Sequence, residues 1–143
     1  LLEKGVNVSD IYKRVLQTKT KANFELMKRT IDRMEFLKDG KVTFTYITSK
    51  DLQEVDAKIG DHEGLVEIGR DVEGVEVSIF IRQKDEEENT YKVSMRSNDY
   101  VNVSDVCMMF GGGGHEKAAG CVIQGDIEQV KNKIVKELEK VLK

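Results

Sequence analysis

The chain has 143 residues, 39% of them hydrophobic and 34% charged, with a formal net charge of −3. That is the size of one compact domain with apolar residues enough for a core, and its charge argues against non-specific coating of DNA, which takes a broad basic surface. No run approaches the roughly 18 apolar residues of a membrane span, no signal-peptide pattern opens the chain, and two cysteines without CxxC spacing, Cys107 and Cys121, read as reduced and buried in an intracellular, cytoplasmic protein.

The opening LLEKGVNVSD reads as mid-protein, so the chain is expected to be a piece of a longer one. Residues 1–39 read as helical. Ser9 caps a first helix bearing Ile11, Val15 and Leu16, and a second stretch spaces Phe24, Met27, Ile31 and Met34 by three and four, as a buried stripe does. The same spacing suits pairing of helices, so a homodimer seam or an interdomain contact stays open. Asp39-Gly40 ends the helix, and Val42, Phe44 and Tyr46 then alternate with polar residues as a half-buried strand. Thr48 or Ser49 caps a short helix to about Ala57, with Asp51 completing a box-like pattern with Thr48, and residues 62–70 form a further turn or two ending near Gly69.

Val75, Val77, Ile79 and Ile81 alternate cleanly, as do Tyr91, Val93 and Met95, and the acidic QKDEEENT between them is a solvated hairpin tip. A short helix from about Asn102 carries Val103, Val106 and Met109. Cys121-Val122-Ile123 is a last strand, and Asp126 caps a C-terminal helix with Ile127, Val130, Ile134, Leu138 and Val141 on one stripe. The expected fold class is α+β: a mixed sheet of about four to five strands flanked by helices, behind an N-terminal helical linker.

The segment GGGGHEKAAG, Gly111 to Gly120, is the densest chemical signal. Consecutive glycines give up much backbone freedom on folding, a cost met where the chain must turn with positive φ or let a ligand come close. A glycine turn feeding a helix over EKAAG would aim free N–H groups at an anion. A flexible linker is the bland alternative, but it would carry serine rather than Ala118-Ala119 and an apolar strand. Arg96 ends a strand whose outward face reads Lys92, Ser94, Arg96; its guanidinium can grip a phosphate, Ser97 can add a hydroxyl, and the glycine turn with His115 can converge on the same anion. His115 can bind phosphate or stack on a base, with Lys117 adding charge, or it can cap the next helix. Asp61-His62-Glu63 reads as a surface turn between Gly60 and Gly64, since three adjacent side chains do not converge on one metal. Walker A, HExxH and paired-cysteine zinc patterns are missing from this sequence.

KVSMRS at 92–97 followed by NVSDVCMMFGGGGHEKAAG at 102–120 resembles the C-terminal DHH-associated domain of the DHH phosphoesterases. LLEKGVNVSDIYKRV and DGKVTFTYIT look like the linker and first strand of the oligoribonuclease and pAp phosphatase branch, so the resemblance covers nearly the whole chain. It implies residues 1–39 as a linker from an N-terminal catalytic DHH domain and 40–143 as the substrate-binding domain. It also implies short RNA or nucleotide substrates (pAp, dinucleotides) and two divalent metals, usually manganese, bound by that N-terminal domain. The family's substrate contacts fall on Arg96, Ser97, Gly111, Gly112, Gly113, Gly114 and His115. The Asp-His-His motif is absent, so no catalytic or metal residue is expected in this chain, which alone should be inactive. Single-strand DNA exonucleases and cyclic-dinucleotide phosphodiesterases of the superfamily are the alternatives within it. A non-catalytic nucleic-acid-binding module, as at the end of alanyl-tRNA synthetase, is the alternative outside it, and the glycine–histidine form argues against that one.

Overall fold

A computed structural model describes residues 19–85 and 87–143. The helix expected after Ser9 lies outside the described residues. The first described helix, α1 (Lys21–Arg33), is made of good helix formers and starts at Thr20, whose hydroxyl accepts the Asn23 N–H at 3.0 Å. Its buried side is Asn23, Leu26 and Thr30, whereas Phe24 and Ile31 of the expected stripe are each 54% exposed. The stripe is therefore rotated from the one that spacing suggested, because the sheet beneath takes the small polar Thr30 and the leucine.

The helix ends sooner than expected. Residues Glu35–Leu37 form a strand, β1, that turns through Lys38, Asp39 and Gly40, all at positive φ, into β2 (Val42–Ile47). Antiparallel pairing of Leu37 with Val42 outweighs the local helical preference. Short helices α2 (Ser49–Glu54) and α3 (Leu65–Arg70) follow, then β3 (Val77–Gln83), β4 (Thr90–Ser97), α4 (Val103–Met108), β5 (Gly113–His115), β6 (Ala118–Gln124) and α5 (Ile127–Glu139). The expected caps at Thr48, boxed with Asp51, and at Asp126 are present; the structure adds Gln129 as the partner that makes Asp126 a capping box, and Asn102 as a cap accepting from the Asp105 N–H. Both β5 and β1 are additions to the sequence reading.

The six strands form one mixed sheet in the order β1-β2-β3-β4-β6-β5, with β2 and β3 parallel and the other neighbours antiparallel. The α+β expectation holds, with one strand more than the upper count. One face carries the main core: Val42, Phe44, Ile79, Ile81, Val93 and Met95, closed by α4 and by Val130, Ile134 and Leu138 of α5. Both cysteines are buried and free; the hydrogen bond between their thiols and burial push the Cys107 thiol up, so it stays protonated.

The other face is half covered. Over β2 and β3, Leu26 of α1 and Leu65 and Val66 of α3 pack with Ile47 and Phe80. That makes β2 buried on both sides rather than half-buried as its alternation suggested: Thr43 and Thr45 are enclosed, and the Thr45 hydroxyl donates to the Thr30 carbonyl at 2.6 Å. Gly69 lets α3 lie directly on the sheet, since a Cβ there would collide with the Thr43 and Ser78 hydroxyls. Over β4, β6 and β5 no further element covers that face among the described residues. Among the described residues, no helix is long and apolar enough to cross a membrane.

Candidate functional site

The uncovered half-face forms a groove of about 730 Å³. One wall is the segment 62–67, which enters α3, and the floor is the polar side of β4 with Gly120 and Val122 of β6. Strand alternation puts Lys92, Ser94 and Arg96 on this floor, and register continues their rows: Arg96 faces Ala118, and Ala118 faces His115. Arg96 and His115 therefore share one face with only a methyl side chain between them, their Cα atoms about 10 Å apart by two strand spacings. Ser94 faces Gly120 in the next row. Small residues keep the floor low, and the half-exposed Val122 supplies an apolar patch.

Arg96 is partly buried and held in place. Its Nε donates to the Glu67 carboxylate at 3.3 Å and its Nη1 to the Met95 carbonyl at 3.0 Å. The second Glu67 oxygen is buried without a partner among the described residues. The Glu67–Arg96 couple is thus only partly satisfied, and an anion taking the guanidinium would exchange with a carboxylate that already lacks a full set of donors.

Ser97 does not face the groove. Alternation turns it to the opposite side, where it is buried and its hydroxyl donates to the Glu116 carbonyl at 3.4 Å, while its backbone N–H donates to the Lys117 carbonyl at 3.1 Å. It ties the end of β4 to the β5–β6 hairpin. Upstream, the buried Glu76 carboxylate accepts the backbone N–H groups of Asp99, Tyr100 and Val101, shaping the turn into α4.

The glycine segment differs from its expected form. No helix follows it: Gly113–His115 and Ala118–Gln124 are the two strands of a hairpin with Glu116 and Lys117 at its turn, so His115 has no helix to cap and the helix-terminus anion site does not form. The segment instead ends the helix before it. Gly111, at φ +81°, donates its N–H to the Met108 carbonyl and Gly112 donates to the Cys107 carbonyl at 3.0 Å, a Schellman termination. The N–H groups of Gly111 and Gly112 are therefore spent on the helix end, and Gly113 and Gly114 enter the pairing with β6. Gly112 also lies directly against β6, where a Cβ would collide with the Gly120 carbonyl and stand 2.6 Å from Cys121 Cβ. Gly113 has room, with only Met108 Cγ at 3.8 Å from a built Cβ. His115 is exposed, and Lys117 donates to the Asn98 carbonyl at 3.3 Å.

Four lining residues escaped the sequence reading: His62, Glu67, Arg82 and Lys92 as part of one site. Arg82 and Lys92 sit at the same parity as Arg96 on paired strands, and that parity was the available signal. The turn at 61–63 is a loop, as expected, but a fastened one: Asp61 accepts the Thr20 hydroxyl at 2.8 Å and the Lys58 N–H at 2.7 Å, and its carbonyl accepts from Asn23 Nδ2. Those contacts seat His62 in the groove wall, where burial, followed by the charges of Arg82 and Lys92, holds its pKa below the usual histidine value. Among the described residues no group of three or more histidines, cysteines or carboxylates is placed to hold a metal ion.

This fold and these residues have relatives. The chain is 31% identical over 143 residues to the bifunctional oligoribonuclease and PAP phosphatase NrnA of Thermus thermophilus, covering 99% of this chain and 41% of that protein. The crystal structure of an exopolyphosphatase-related protein from Bacteroides fragilis superposes with a TM-score of 0.86 at 30% identity, over 97% of this chain and 40% of that one. A pGpG-specific phosphodiesterase from Vibrio cholerae shares the fold, with a TM-score of 0.57 at 14% identity, over 84% of this chain and 40% of that one. The chain thus spans about two fifths of the length of these relatives. The family model of the DHHA1 domain matches residues 39–143, the stretch that builds the open sheet face, Arg96 and the glycine–histidine hairpin, and the chain belongs to the DHHA1 domain family.

Proposed function

We propose that this chain is the substrate-binding part of a phosphoesterase that hydrolyses short oligonucleotides, in the manner of its oligoribonuclease and PAP phosphatase relative. The observation that carries this reading is the shared row on the open face: Arg96, Ala118 and His115, a cation and an imidazole flanking a low floor beside the Ser94–Gly120 row. Such a row suits one nucleotide, its phosphate on Arg96 and its base or sugar across the small residues toward His115. The Arg96 guanidinium, oriented by Glu67 and the Met95 carbonyl, positions the phosphate and takes no part in bond making. Gly111–Gly114 and Ser97 serve this reading by fixing the hairpin that carries His115.

The bond-breaking apparatus belongs to an N-terminal DHH domain to which residues 1–39 lead, the described part of that stretch docking on the sheet as α1 and β1. Two divalent metals, manganese in this reading, would supply an activated water there, and none of the residues described here fits them. The chain by itself is accordingly expected to leave a labelled dinucleotide intact in millimolar manganese.

The test is Arg96→Ala in the full-length enzyme. Loss of one charge-assisted contact, about 1.5–3 kcal/mol, should lower kcat/KM on a dinucleotide by about 10–100-fold. His115→Ala should lower it by about tenfold or less without shifting the unfolding midpoint, since that side chain is exposed. Arg96→Gln, which keeps the side chain's bulk and a donor near Glu67, repeats the loss of the charge with the smaller effect on folding. Unaltered kinetics in Arg96→Ala would remove the proposed phosphate contact.

A further inference from the structure

We infer that Arg82 and Lys92, with His62 in the wall beside them, form a second anion subsite in the groove, which holds another phosphate of a strand longer than a dinucleotide. The inference rests on the reading of Arg96 as the contact for a first nucleotide phosphate. It starts from a like-charge pair. Arg82 on β3 and Lys92 on β4 are directly opposed Cα partners on the groove face, and both line the groove. Like charges placed opposite each other across a sheet are destabilising unless something neutralises them.

None of the described residues does so. Among them Arg29, Arg33, Arg70 and Arg96 each meet a carboxylate, whereas the side chains of Arg82 and Lys92 make no ion pair or hydrogen bond. The nearby acids are occupied or apart. Glu67 is on Arg96, Asp61 accepts from Thr20 and Lys58, and Glu63 lines the groove without contacting either cation. Asp85, Glu87 and Glu88 at the hairpin tip pair with neither. A sheet that carries this cost and aims both cations into an open groove is built for an external anion.

Geometry makes it a separate subsite. Lys92 and Arg96 are four residues apart on one strand, about 14 Å by strand rise, too far for one phosphate to bridge, with Ser94 midway. Val122 completes the Lys92 row as an apolar patch for a base. His62 is held neutral by burial and by the charges of Arg82 and Lys92 beside it, so its part at the phosphate is one donated ring N–H, and the two cations carry the charge. The ligand class is an extended single-stranded oligonucleotide with phosphates at both ends of the floor.

The experiment compares the double variant Arg82→Ala/Lys92→Ala with Arg96→Ala and the parent, in the full-length enzyme with manganese, on a dinucleotide (pApA) and on pentaadenylate RNA. The double variant should lose about 10–100-fold in kcat/KM on the pentanucleotide, with a loss at least ten times smaller on the dinucleotide. Its dependence on salt should become shallower. Its unfolding midpoint should equal or exceed the parent's, because a repulsive pair has gone; a fall would mark the two as structural and overturn the subsite. Equal losses on both lengths, or none on either, would also overturn it. Arg96→Ala separates the two proposals: if it changes neither substrate the underlying reading fails, and if it lowers both while the double variant shows no length dependence only the subsite fails.

Discussion

Gly112→Ala is expected to destabilise the fold by about 3 kcal/mol, whereas Gly113→Ala, one residue on, should stay within about 0.5 kcal/mol of the parent. The two positions look alike in sequence and differ entirely in surroundings. A methyl group at Gly112 would be driven into the Gly120 carbonyl and would lie 2.7 Å from Cys121 Cα, so backbone on the neighbouring strand must move. The same methyl at Gly113 makes ordinary contact with Met108. Displacing β6 also shifts Ala118, and with it the row joining Arg96 to His115. In a full-length enzyme the stability loss should therefore bring an activity loss, while Gly113→Ala leaves both. Thermal unfolding of the two variants side by side checks this, and equal midpoints would show that β5 does not seat against β6 as described.

Asp51→Ala should cost about 3 kcal/mol, and for a domain of this size lower the unfolding midpoint by roughly 10 °C. Asp51 is 3% exposed, and its carboxylate takes both Nη groups of Arg33 at 2.6 and 2.7 Å, Arg29 Nη1 at 2.8 Å, and the Thr48 N–H at 2.7 Å. These contacts clamp α1 to the start of α2 across the covered face. Because the two arginines keep some access to water, the lower end of the usual cost of breaking a buried pair applies. Burial works against the charge, but the bonds from Arg33, Thr48 and Arg29 outweigh it and hold the carboxyl well below its usual range. A folded-state pKa below the unfolded value near 4 means that this stabilisation is complete above about pH 4 and declines as pH falls toward the folded value. Denaturant melts from pH 7 down to pH 2 should show an acid limb in the parent that is flattened in Asp51→Asn. An identical acid limb in both would remove Asp51 as its source.

Sequence alone determined what depends on near neighbours. Alternation at 77–81 and 91–95, the Thr48–Asp51 box, the Asp126 cap and the apolar stripe of the last helix are local patterns whose meaning survives in any tertiary setting, and all are present. The polar face of Lys92, Ser94 and Arg96 was legible for the same reason, and KVSMRS with GGGGHEKAAG sufficed for the family. What a glycine run does was not legible. Four glycines fit a helix-entry cradle and a helix exit equally well, and the decision came from Cys107 and Met108 carbonyls needing donors and from a neighbouring strand with no space for a Cβ. Strand β1 was missed because its partner, rather than its own residues, makes it a strand. Likewise, only the tertiary structure brings Arg82 opposite Lys92, Arg96 into line with His115, and His62 into the wall above them. Pairing register joins residues 10 to 20 places apart or more, and it is settled by which faces of the whole sheet become buried, a long-range outcome that no local spacing encodes.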